Sequence, residues 1–92
     1  MTINERVKYE LQLRKRQHKL RQKDVAAAIG MTHRKLSRAL NSDRRLTAAE
    51  LLGICMVAGI DPVIFMQCDE LDGVRARMAY LTPTDEGGDE DA

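Results

Sequence analysis

One stretch of this chain restricts its fold more than any other: Gln22-Lys-Asp-Val-Ala-Ala-Ala-Ile-Gly-Met-Thr-His-Arg-Lys-Leu-Ser-Arg-Ala-Leu-Asn41. A helix fits Gln22 to Ile29 and stops at Gly30, the residue type that enters the left-handed region without a Cβ clash. Thr32 can then cap a second helix, His33 to Leu40. Two short helices packed across so tight a turn cross steeply, and the crossing makes definite demands. The crossing point must be small, and it is Ala26; the turn must accept an unusual conformation, and it is Gly30. The residues that join the pair to a core must be apolar, and Val25, Ile29, Met31, Leu36 and Ala39 all are. Every condition is met without a gap.

Helix punctuation is equally strong on either side. Thr2-Ile3-Asn4-Glu5 and Thr47-Ala48-Ala49-Glu50 both have capping-box form. The first predicts a helix from about Ile3 to His18, the second a helix ending near Gly59. On the first, Ile3, Val7 and Leu11 share one stripe while Tyr9 and Leu13 share another, and periodicity does not choose between them. On the second, Leu51, Leu52, Cys55 and Ala58 are the expected core stripe, extended by Ile54 and Val57, so this helix is expected to be the most buried. Asp61-Pro62 starts a short fifth helix, with Asp as cap and Pro at the first helical position. Aromatic residues make up 3% of the 92 and Trp is absent, so the core must come from aliphatic side chains, Met and Ala. The fold expected is all-α: a compact five-helix domain over residues 1–68, a candidate dimerisation segment over 69–81, and an acidic tail over 82–92 expected to be disordered.

A net charge of +1 conceals an asymmetry. Residues 6–45 hold 13 of the 15 Lys and Arg against three acids, Glu10, Asp24 and Asp43, a balance of +10. Residues 69–92 hold eight acids against Arg75 and Arg77, a balance of −6. A basic half on a small helical protein suggests a polyanionic partner, although a solvated charged surface gives the same count. Cys55 and Cys68 are not in C-x-x-C spacing, and neither His18 nor His33 completes a zinc site with them. The apolar run Leu51–Ile60 is about half of the ~20 residues that span a bilayer. The first ten residues are polar and charged rather than a signal peptide. The expectation is a soluble, reduced, cytoplasmic protein without cofactor or metal. No acid–base pair, nucleophile set or phosphate loop can be assembled, so no enzyme is expected.

On the pattern from Gln22 to Asn41, the sequence resembles the Cro/C1-type (XRE-like) helix-turn-helix family of phage and bacterial repressors. The resemblance extends from about Leu13 to Met66. Lys19 stands where a Gly often precedes the motif, and Ser42-Asp43-Arg44-Arg45-Leu46 replaces the usual Gly- and Pro-containing loop. The resemblance implies a lambda-repressor-like domain that places its second motif helix in the major groove of an operator. With Leu36 and Ala39 turned inward, helical periodicity sets Thr32, His33, Arg34, Ser37, Arg38 and Asn41 on the opposite side. Arg34 and Arg38 are the foremost candidates for base reading, because a guanidinium can bond both guanine O6 and N7. Thr32 is equally explained as a cap, and His33 as an exposed side chain without a base contact. By resemblance, Gln22 touches the DNA backbone and braces the residue that here is His33, and Asn41 touches the backbone beyond the reading helix. Arg44 and Arg45 are candidates for the other flank. Arg14, Lys15, Arg16, Lys19, Arg21 and Lys23 add basic charge for the salt-sensitive share of affinity.

One such unit reads a short half-site, and family members usually bind near-palindromic operators as dimers. Leu71, Val74, Met78 and Leu81 repeat as one seam of a helix, with Phe65 and Met66 nearby, and these six are the candidate homodimer surface. The alternation Val74, Ala76, Met78, Tyr80 also fits a strand, and a segment folded back over its own core is the plainer alternative. A function of another class is an antitoxin-type interaction module that binds its own promoter. On that reading, or by itself, the acidic tail Asp85–Asp91 is a candidate contact for a protein partner.

Overall fold

The computed structural model describes residues 1–42 and 44–81. The tail expected to be disordered and Asp43 lie outside the described residues. Helix α1 (Ile3–His18) begins at the capping box: Glu5 N donates to Thr2 Oγ1 (3.1 Å) and Thr2 N to Glu5 Oε1 (2.8 Å). It ends at Lys19 with φ 56°, the left-handed conformation that terminates helices. A Lys there carries a Cβ penalty of about 1–2 kcal/mol that a Gly avoids. That is the structural meaning of the unusual residue before the motif.

Helices α2 (Gln22–Ala28) and α3 (His33–Leu40) form the predicted pair. Gly30 has φ +77°, and Thr32 Oγ1 accepts from Lys35 N at 3.1 Å. Met31 N donates to Ala26 O at 2.8 Å, which closes the turn. Ala26 is fully buried, as the crossing requires. Helix α4 (Ala48–Ala58) starts at the second capping box and stops at Gly59, φ +68°. Gly53 lets α4 pass close to α2, since a Cβ there would lie 3.0 Å from Ile29 Cγ2.

The core gathers Val7 and Leu11 from α1, Val25 and Ala26 from α2, and Leu36 and Leu40 from α3. Ile54, Cys55, Ile60, Phe65 and Cys68 close it from the other side. On α1 the stripe through Val7 and Leu11 therefore faces inward, and Tyr9 is largely exposed. Two expectations for α4 are corrected. Ile54 rather than Leu52 is buried, because residues 51, 54, 55 and 58 follow the helical repeat and Leu52 lies off that line. Nor is α4 the most buried helix, since α3 buries Leu36, Ala39 and Leu40 within eight residues and α4 only Ile54 and Cys55 within eleven.

The fifth helix is a 3-10 helix, Pro62–Gln67, with Val63 N donating to Asp61 Oδ1 at 3.0 Å. A 3-10 helix repeats every three residues, so Phe65 and Cys68 turn inward together. Phe65, expected on a dimer surface, is thus 4% exposed and fills its own core. A second 3-10 turn, Asp69–Leu71, leads into helix α5 (Asp72–Leu81), so the strand alternative does not hold. Arg75 donates to the Met66 carbonyl and pairs with Asp72, tying α5 to the segment before it.

An ion cluster that the sequence reading missed binds α1 to the end of α4. Glu10 is buried and meets Arg6 Nε at 3.0 Å and Arg14 Nη1 at 2.6 Å. Arg14 also donates from Nε to Ala58 O (2.8 Å) and from Nη2 to Gly59 O (3.3 Å). Those are C-terminal carbonyls of α4, which have no partners within the helix. Arg14 is therefore engaged within the fold. Its i,i+4 spacing to Glu10 was the signal available in the sequence.

Candidate nucleic-acid interface

The face of α3 opposite Leu36, Ala39 and Leu40 carries Arg34 and Arg38 exposed, with Ser37 half-buried beside them, and Thr32 and His33 are exposed at the N-terminal end of the helix. This follows from three inward residues fixing the rotation of a helix anchored at both ends by its cap and its turn. Two hollows flank that face. The first, about 420 Å³, is lined by Leu11, Gln12, Lys15, Arg21, Gln22, Lys23 and His33. It brings His33 and Gln22 together at the start of α2 and surrounds them with cations. The second, about 490 Å³, lies at the far end of α3 and is lined by Met31, Lys35, Arg38, Ala39, Asn41, Ser42 and Arg44. Lys35, exposed on the same helix as Arg34 and Arg38, was not singled out from the sequence. Its position beside the reading stripe was the signal that could have found it.

Asn41, Arg44 and Arg45 sit differently from one another. Asn41 donates from Nδ2 to Ser37 O (2.8 Å) and accepts from Lys8 Nζ on Oδ1 (2.7 Å), so both ends of its amide are engaged within the protein. Arg44 Nη2 lies 3.0 Å from Glu50 Oε2. That hydrogen bond, with the Thr47 backbone N–H, holds the Glu50 carboxyl below its ordinary range. Arg45 is not with them. It lines a hollow beside Thr2, Asn4, Asp69 and Glu70, where carboxylates are its neighbours. Arg21 and Lys23 are exposed and line the first hollow, and Lys19 is exposed at the end of α1.

Of the residues placed on the dimer surface, Met66, Val74, Met78 and Leu81 are more than half exposed, and Leu71 is half-buried. Tyr80 on α5 is also exposed. Burial pushes the thiols of Cys55 and Cys68 up from their ordinary values, so both stay protonated and inert. Among the described residues no helix is long and apolar enough to cross a membrane.

No curated protein and no solved structure matches the chain. The helix-turn-helix family model matches residues 11–65, from the middle of α1 through the motif to Phe65 in the 3-10 helix. The matched span holds all of α2, α3 and α4 and the exposed basic face between the two hollows. The chain belongs to the Cro/C1-type (XRE-like) helix-turn-helix family and is a DNA-binding transcription regulator of that type.

Proposed function

We propose that the protein is a sequence-specific repressor that binds a near-palindromic operator as a homodimer, with α3 in the major groove. The observation that carries this reading is the exposed row Thr32, His33, Arg34 and Arg38 on a helix anchored by three buried side chains. A rigid mount matters because base reading needs donors held at fixed distances from groove edges. Arg34 and Arg38, one turn apart, can each bond a guanine through O6 and N7. Thr32, His33 and Ser37 complete the reading face. Gln22, Lys23, Arg21 and Lys19 meet phosphates on one side of it, and Asn41 and Arg44 serve the other flank.

The homodimer supplies the second half-site. Met66, Val74, Met78 and Leu81 form an exposed apolar seam that water disfavours, and a second copy covers it. Selection of binding sites from random duplex DNA at fixed salt tests the reading. The selected site should bind at least ~10³-fold more tightly than a scrambled duplex of equal length. Equal affinity for both would leave a nonspecific binder and overturn the proposal.

A further inference from the structure

Asn4 and Lys8 stand one turn apart on α1, away from the helix pair that carries the reading face. Both nevertheless reach the far end of α3. Asn4 Nδ2 lies 3.1 Å from Ala39 O, 3.3 Å from Ser42 O and 2.9 Å from Arg44 O. The last carbonyls of a helix have no intrahelical donors. One side-chain amide thus gathers three carbonyl acceptors within six residues of chain. Ser42 Oγ reinforces the arrangement, donating to Ala39 O (3.3 Å) and accepting from Arg44 N (3.1 Å). Lys8 adds its ammonium at the negative end of the α3 dipole and holds Asn41 Oδ1 at 2.7 Å.

The second hollow is built on this segment. Asn41, Ser42 and Arg44 line it together with Lys35 and Arg38. The distance between the reading helix and the cations that follow it therefore depends on a contact made from α1. We propose that Asn4, supported by Lys8, is a positioning residue for DNA binding. It fixes the end of α3 together with Ser42 and Arg44, so that Arg38 and Arg44 engage base edge and backbone at the same time. The inference rests on the DNA-binding reading above. Its signature differs from that of a residue that only stabilises the fold. A displaced backbone flank weakens all sequences alike and lowers the salt dependence, because one phosphate contact accounts for a slope of about 0.9.

The test uses the full chain and the selected operator over a salt series, with Asn4→Ala, Arg44→Ala, the double variant and urea unfolding of each. Asn4→Ala should remain folded, bind about tenfold more weakly, and lose about one unit of salt slope with an unchanged consensus. Adding Arg44→Ala should cost much less in the Asn4→Ala background than in the wild type, since the flank is already displaced. Asn4→Ser, whose hydroxyl restores one donor, should recover part of the loss, and it carries the same comparison if Asn4→Ala does not fold. Wild-type affinity and slope in a destabilised Asn4 variant would overturn the proposal alone, as would strict additivity with Arg44→Ala. A wild type with no preference for its selected site would overturn the DNA reading and this inference with it.

Discussion

Arg38 and Lys23 carry the same charge but meet a duplex through different chemistry. Arg38 lies on the exposed face of α3, where a planar guanidinium can pair with one base. Lys23 lies beside Gln22 in the first hollow, where an ammonium meets phosphate as a point charge. Arg38→Ala should cost about 1–3 kcal/mol and relax the consensus at one base pair, while Lys23→Ala should weaken every sequence alike. Site selection with each variant distinguishes them, and an unchanged consensus for Arg38→Ala removes it from the readers. Glu50 gives a pH prediction at the same scale. Its carboxyl is held below the ordinary value near 4.5, chiefly by the hydrogen bond from Arg44. A lowered pKa contributes stability that is whole above the unfolded value and is lost as pH falls through the folded one. Urea midpoints should therefore drop below about pH 4.5, and drop less in Glu50→Gln. An equal drop in both proteins would remove the Arg44–Glu50 pair from the acid sensitivity. The capping roles of Thr2, Thr32 and Thr47 were legible from four-residue patterns because cap and amide lie in one turn. The duty of Asn4 was not, because its partners lie 35 to 40 residues away.

At the scale of elements, α1 and α4 are joined by the buried Glu10 and by the Arg14 guanidinium over Ala58 O and Gly59 O. Removing the carboxylate takes the counter-charge from Arg14, whose side chain is only 19% exposed. Glu10→Ala should destabilise the domain by about 1–3 kcal/mol, read from urea unfolding. A change within a few tenths would show that solvent, rather than Glu10, satisfies Arg14. The helix pair α2–α3 was legible residue by residue, since Ala26, Gly30 and Thr32 each answer a local steric or hydrogen-bonding demand. Burial on α4 was not. That helix is apolar on most of its circumference, so periodicity offered Leu52 and Ile54 alike, and contact with α2 through Gly53 selected Ile54.

For the whole molecule, the consequential surface is α5 with Met66. Val74→Asp together with Met78→Asp would place like charges in the exposed seam. The double variant should remain folded, since neither residue belongs to the core, and should sediment as a monomer with much weaker operator binding. A symmetric pair sets the two reading helices about one DNA turn apart, ~34 Å, so half-sites should repeat inversely with centres ~10 bp apart. A wild type that stays monomeric at high micromolar concentration, with and without DNA, would refute the dimer. Unfolding of the double variant would instead assign the seam to its own domain.

The amino-acid sequence by itself determined the first four helices, the threonine caps that open three of them, and the inward residues of the motif. Those features depend on neighbours within about one helical turn, where spacing alone defines the contact. Tertiary structure alone decided which stripe of α1 faces the core, that Phe65 is core rather than surface, that Arg14 serves the fold, and that Arg45 turns toward Asp69 and Glu70. Each of those outcomes is a choice between chemically equivalent options. What resolves such a choice is the packing of segments distant in the chain, and local periodicity holds no record of it.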